Sequence, residues 1–255
     1  MTLVGSSLEK LKKKNGFSRS TALQCSLQTL KAIHDFHSIG FLHRDLKPAN
    51  FCIGVGARME TVFLLDFGLA RRFRTTTGAI RTPRPRTKMI GTPRYCARAA
   101  HRKEELGRKD DYESWLFMLF DFLDAENGCP WKGKPREVTH EMKARVFAEP
   151  TWISSTSTVP ANFVVMTEYL NSLKFESAVE FGVFRETITD YARQIHLTLK
   201  EKLDWCCPPT TESTTTTTTT RTVTVDDNVS IGSDNSDPDS SLMKSTTTRR
   251  KRSNM

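Results

Sequence analysis

No CxxC pair occurs among the six cysteines of this 255-residue chain, and two of the six, Cys206 and Cys207, are neighbours. Cys25, Cys52, Cys96 and Cys129 are scattered among apolar or small residues. A disulfide framework is therefore disfavoured, and reduced thiols in a cytoplasmic or nuclear protein are expected. No apolar run is long enough to span a bilayer, and nothing resembles a signal peptide, so neither a membrane-spanning nor a secreted protein is expected. Asn228-Val229-Ser230 has the form of a glycosylation acceptor, but without a secretory signal it is incidental. Aromatic residues are missing from Pro208 to Met255, a stretch that includes an unbroken threonine run from Thr214 to Thr220. Such a composition buries too little apolar surface to offset its ordering entropy, so 208–255 is expected to be a disordered tail and 1–207 the folded part. No internal repeat is evident. Acids are nearly missing from Arg71 to Arg108, where Glu104 and Glu105 face twelve Arg and Lys. That excess accounts for about the whole net charge of +9. It suggests acidic partners. The aromatic interleaving that stacks bases is absent there, so nucleic acid is the weaker choice beside acidic or phosphorylated protein.

Leu23, Leu27, Leu30 and His34 recur at helical spacing, with Ala22, Ile33 and Phe36 widening the face. Ser18 or Ser20 caps the start and Gly40 marks the end, which predicts a helix of about 18 residues. Phe51-Cys52-Ile53 and Val62-Phe63-Leu64-Leu65 bracket Gly54-Val55-Gly56 and predict two short antiparallel strands. Gly54 and Gly56 lack the third glycine of a dinucleotide cradle and read as a turn. Residues 71–99, rich in Arg, Thr, Gly and Pro, predict a long functional loop. Residues 111–124 are apolar nearly all round, as in a helix through the middle of a domain, with Trp115 in its core. Further helices are expected at roughly 136–148, 160–173 and 184–203. Lys10, Lys12, Lys13 and Lys14 are placed in a loop.

The chemistry concentrates in His43-Arg44-Asp45-Leu46-Lys47-Pro48-Ala49-Asn50 and in Asp66-Phe67-Gly68. Phosphoryl transfer needs in-line positioning and charge neutralisation more than covalent help. Asp45 can accept or orient the proton of an attacking hydroxyl, and Lys47 can offset charge on the transferring group. Asn50 and Asp66 offer the hard oxygens that suit magnesium. Phe67 packs to orient Asp66, and Gly68 lets the backbone turn.

These motifs resemble the C-terminal lobe of a eukaryotic protein kinase. Within that superfamily the chain is similar to the casein kinase 1 group and most like its tau-tubulin kinase branch. Residues Phe41 to Phe51, Leu64 to Arg71, Gly91-Thr92-Pro93-Arg94-Tyr95, Ala100-His101-Arg102 and Gly107 to Asp111 carry the likeness, with Pro130-Trp131 and Leu203-Asp204-Trp205 as later landmarks. Leu3 to Leu8 resembles the hinge between kinase lobes. The resemblance implies a mainly α lobe with a small antiparallel β element, Asp45 as catalytic base and Lys47 as its phosphate-contacting partner. It implies Asn50 and Asp66 as magnesium ligands beside ATP. His43, Arg44, Phe67, Gly68 and Asp111 would give structural support, Asp111 tying the catalytic loop from below. Arg71, Arg81, Arg84, Arg86, Lys88 and Arg94 would face acidic or phosphorylated protein substrates, since guanidinium groups favour phosphate through paired charge-assisted hydrogen bonds.

Two positions depart from the group. Ala97-Arg98-Ala99 stands where Ser-Ile-Asn is usual, removing hydrogen-bonding side chains near the substrate loop, and Leu116 stands where many kinases have glycine. The Gly-rich loop and strand lysine that hold ATP phosphates are also missing from the sequence. The expectation is therefore a serine/threonine kinase chain lacking its N-terminal β-rich lobe and inactive alone. The alternative is a non-catalytic, pseudokinase-like binding module or scaffold for acidic or phosphorylated proteins. Arg249-Arg250-Lys251-Arg252 is a candidate nuclear-localisation patch.

Overall fold

Two helices set the frame. In the computed structural model, which describes residues 3–124 and 128–206, α2 (Arg19–Ser38) lies against α4 (Arg108–Leu123). Of the two candidate caps, Ser18 is the one used, its hydroxyl accepting from the Thr21 amide at 3.2 Å, and Gly40 follows the helix with φ of 88°. α4 is buried from Asp110 to Leu123, as its all-round apolar sequence requires. Its Trp115 is fully buried yet satisfied, because the indole N–H donates to the Ser26 carbonyl and the Thr29 hydroxyl at 3.1 and 3.0 Å. Leu116, where many kinases carry glycine, is 0% exposed and belongs to the same core.

The remaining helices are α1 (Leu8–Asn15), α3 (Arg98–His101), α5 (Arg136–Ala148), α6 (Trp152–Thr156), α7 (Val164–Ser172) and α8 (Phe181–Gln194). The lysines assigned to a loop lie instead on α1. Ser7 caps it through the Lys10 amide, and its basic last turn complements the helix dipole, a short signal masked by the low apolar content of the segment. α8 ends at Gln194, short of the expected 203, because His196 turns left-handed at φ of 54° and the Leu197 amide closes back on the Ala192 carbonyl at 2.8 Å.

Among the described residues, four strands of two or three residues form two antiparallel pairs. β2 (Phe51–Ile53) and β3 (Val62–Leu64) pair in the register Cys52↔Phe63, close to the expected hairpin. Gln28 of α2 pins it, accepting from the Val62 amide and donating to the Glu60 carbonyl, both at 2.9 Å. β1 (Phe41–Leu42) pairs with β4 (Arg71–Arg72), a contact between residues thirty apart that periodicity does not announce. The hinge-like segment runs beside β2, where Gly5 donates to Ile53 at 2.7 Å and Ile53 to Ser6 at 3.0 Å. Among the described residues no β-rich lobe is built, and the fold is mainly α. No described helix is long and apolar enough to cross a membrane. Cys25, Cys52, Cys96 and Cys129 are buried free thiols, and burial pushes each upward in pKa. The expected tail at 208–255 and Cys207 lie outside the described residues.

Candidate active site

The loop after β1 is anchored from beneath by one carboxylate. Asp111, in the first turn of α4, accepts from the backbone amides of His43 and Arg44 at 2.8 Å each and from His37 Nε2 at 2.7 Å. Burial pushes Asp111 up, but the His37 bond, its charge and the two amides outweigh burial and hold the carboxyl below its ordinary range. This grip over-determines a strained backbone, for Arg44 sits at φ of 69°. His43 completes the frame. Its Nε2 meets the Leu65 carbonyl at 3.0 Å, and the Asp45 amide donates to its Nδ1 at 3.4 Å.

Asp45, placed by that loop, is engaged on both oxygens. Lys47 Nζ lies 2.6 Å from Oδ2, and the Thr92 hydroxyl donates to Oδ1 at 2.8 Å. Thr92 is reached because Gly91 brings its backbone against the loop. At φ of 92°, a Cβ there would meet the Arg44 carbonyl oxygen at 2.8 Å. The Asn50 amide nitrogen donates to the Asp45 carbonyl at 2.9 Å, which leaves its amide oxygen as the group a cation can use. The Leu65 amide donates to the Asn50 carbonyl at 2.8 Å, so Asp66, the next residue, shares the edge that holds Asn50. Asp66 is exposed, at φ of 61°, with Gly68 N donating to Oδ1 at 3.3 Å. Phe67 stacks on Phe36 at 4.9 Å and stands edge-on to His43 at 5.7 Å, tying the orientation of Asp66 to α2.

Among the described residues, no three His, Cys, Asp or Glu side chains converge as a metal cage. Two oxygen donors on one edge nonetheless fit magnesium, which keeps waters and takes its other ligands from phosphates. Asn50 and Asp66 would hold the ion. Bound there, it would neutralise phosphate charge.

A model of the protein kinase domain matches residues 2–174. The chain belongs to the protein kinase domain family. Among curated relatives, it is 56% identical over 208 residues to "Putative serine/threonine-protein kinase ZK507.1" of Caenorhabditis elegans, covering 80% of this chain and 61% of that protein. It is 35% identical over 212 residues to "Serine/threonine-protein kinase spe-6" of the same organism, covering 80% and 55%. A third similarity, 32% over 210 residues, is to "Probable serine/threonine-protein kinase DDB_G0292354" of Dictyostelium discoideum, covering 80% and 41%. The chain thus spans about two fifths to three fifths of these relatives.

The basic stretch of this kinase chain divides in two. Arg71 and Arg84 both turn to the buried carboxylate of Glu105, Arg71 at 3.6 Å, and Arg94 pairs with buried Asp121. The Arg44 guanidinium, beside the same cluster, is held below its ordinary pKa by burial, with Glu105 opposing and Arg71 and Arg84 adding to the shift. Arg81, Arg86 and Lys88 remain exposed. Sequence reasoning missed the cations that join Arg94 around a cavity of about 550 Å³, namely Lys12 and Lys13 from α1 and Lys132. Pro48 of the catalytic loop, Tyr95 and Asp121 line the same space. The lysine run was visible in the sequence, but its partners lie more than eighty residues away. Arg98 also differs from expectation. The Ala97-Arg98-Ala99 segment adds a tie, since Arg98 donates to buried Glu113 from its amide at 2.7 Å and from Nε at 3.1 Å.

Proposed function

We propose that this chain carries the catalytic loop of a serine/threonine protein kinase of the casein kinase 1 and tau-tubulin kinase type, which moves the γ-phosphoryl group of ATP to protein hydroxyls. The observation that carries the reading is the joint hold on Asp45 by Lys47 and Thr92, with Asn50 and Asp66 on the adjoining edge. Asp45 is the proton acceptor, and Lys47 is within reach of both Asp45 and the transferring group. Asn50 and Asp66 are the magnesium ligands. Acidic or phosphorylated segments are the preferred substrates. Exposed Arg81, Arg86 and Lys88, together with exposed Lys13 and Lys132 at the cavity, support that preference, whereas Lys12 and Arg94 are both paired with buried Asp121. The residues that would cover ATP have no counterpart among those described, so these 255 residues alone bind Mg-ATP weakly, with Kd in the millimolar range. Cytoplasmic residence, with Arg249 to Arg252 as a nuclear signal, belongs to the same proposal.

The test is phosphoryl transfer from Mg-ATP to an acidic peptide, using this chain and a longer polypeptide that includes a nucleotide-covering lobe. The longer protein should transfer phosphate, and Asp45→Asn should abolish turnover without loss of folding. If the longer protein binds a phosphopeptide but transfers nothing, the non-catalytic binding module takes the place of this reading.

A further inference from the structure

Lys143, on α5, is 0% exposed, and its surroundings are unusual for a cation. Its ammonium donates to the Pro93 carbonyl at 2.8 Å and to the Cys96 carbonyl at 2.6 Å. It lies 4.6 Å from the ring centre of Phe117 and 5.8 Å from that of Trp131. Among the described residues no carboxylate lies within ion-pair distance of it. The other groups facing it do not replace one. On α4, Glu113 is taken by Arg98. On α3, His101 is 3.4 Å from the ammonium and held down to about 4 by burial and by Lys143 itself, so it is neutral. His140, stacked on His101, is likewise held below its ordinary value by burial and by the neighbouring cations. Arg98, Arg102 and Arg136 carry the same sign as Lys143. The Cys96 and Cys129 thiols are pushed up by burial and are neutral.

The two carbonyls belong to the turn that places Thr92. Within it the Thr92 carbonyl accepts from the Tyr95 and Cys96 amides at 2.9 and 2.8 Å, and the Arg94 carbonyl accepts from the Trp131 indole at 2.8 Å. With Pro93 and Cys96 held by Lys143, four of the five carbonyls from Thr92 to Cys96 have donors. On its other side Thr92 donates to Asp45 and receives Lys47 at 3.2 Å.

We propose that Lys143 is a positioning residue, a buried cationic clamp that fixes the 92–96 turn and thereby holds Thr92 against Asp45. The kinetic consequence rests on the phosphoryl-transfer reading; the structural one does not. A charge buried without an anion costs stability, and a methionine of similar volume would carry no such cost. Methionine would, however, leave the Pro93 and Cys96 carbonyls without their donor, so the lysine's distinct contribution is placement of the loop. The titration follows in sign. Burial pulls Lys143 down to about 8 from its ordinary 10.5. Between those values the unfolded chain binds more protons than the folded one, so this residue's contribution to stability rises with pH. The clamp weakens over the same range, because a neutral amine makes poorer hydrogen bonds to carbonyls. This residue's contribution to stability and the order of the loop thus move in opposite directions.

Hydrogen–deuterium exchange on the full chain, with Lys143→Met beside wild type, tests this without reference to activity. In Lys143→Met, 91–97 should exchange at least about ten-fold faster relative to α4, a local change larger than any shift in melting temperature accounts for, because relief of the buried charge is opposed by two carbonyls left without their donor. In wild type the same segment should lose protection between about pH 7 and about pH 9.5 after correction for intrinsic rate, and Lys143→Arg should retain it. Unchanged protection of 91–97 in Lys143→Met overturns the clamp. Should that variant not fold, a pH-independent wild-type segment overturns it instead. In a polypeptide that transfers phosphate, Lys143→Met should lower kcat/KM for peptide about ten-fold or more and leave KM for Mg-ATP unchanged. Absence of turnover in wild type counts against the kinase reading, and the exchange result still judges the clamp.

Discussion

Asp111 shows how one carboxylate can set the conformation of the loop that carries His43 to Asn50. It is buried, so it is costly to ionise, yet three donors make the ionised form the stable one. Its contribution is present above the unfolded-state pKa and is lost as pH falls through the lowered folded value. Asp111→Asn keeps the shape but weakens the hold on the His43 and Arg44 amides. Charge-assisted hydrogen bonds are worth about 1.5–3 kcal/mol, so a loss of about that size is expected near neutral pH. The gap between wild type and variant should narrow below about pH 4, which urea titrations at several pH values can measure. Gly91 makes a second test at this scale. Gly91→Ala combines a positive φ with a Cβ 2.8 Å from the Arg44 carbonyl, so it should separate Thr92 from Asp45. In a polypeptide that transfers phosphate, its expected signature is a loss of turnover that persists at temperatures where the variant remains fully folded.

Among the elements, α4 does most of the holding. Its first turn supplies Asp111 to the catalytic loop, its middle fills the core, and Asp121 near its end receives Arg94 and the Tyr95 hydroxyl. Leu119→Ala, at a 0% exposed site in the core cluster, should cost about 2–5 kcal/mol in denaturant unfolding, from lost transfer energy and the cavity left behind. α3 docks on α4 through Arg98 and Glu113, with the Arg98 guanidinium also over Phe147 at 3.4 Å. Truncating Arg98 leaves a buried carboxylate without its cation, so Arg98→Ala should destabilise by about 3 kcal/mol. A double-mutant cycle with Glu113→Gln should return a coupling of about 1–3 kcal/mol. Coupling near zero would mean that the short helix is held by its alanines alone.

At the scale of the whole molecule, the proposed preference for acidic partners makes charge on the loop and around the cavity the quantity to test. Binding of a phosphorylated peptide to this surface should weaken steeply between about 50 and 200 mM salt, because exposed charges are screened over a Debye length near 10 Å. Replacing exposed Lys13 and Lys132 with glutamine should flatten that slope, while replacing the Glu105-bound Arg84 should disturb loop order more than affinity. What could be read in advance follows physical range. Residues 43–50 and 66–68, the caps of α2, the buried run of α4 and the β2–β3 hairpin are local patterns, in which neighbours in sequence are neighbours in space. β1 pairing with β4, α1 bringing its lysines toward Arg94, Glu105 gathering arginines and Lys143 reaching the 92–96 turn are all pairings across tens of residues. Residue type and spacing alone nominated the candidate reacting groups, since side-chain chemistry belongs to each residue. Which cations stay exposed, and which a buried carboxylate or carbonyl captures, was decided only when packing brought distant segments within hydrogen-bond distance and excluded water from between them.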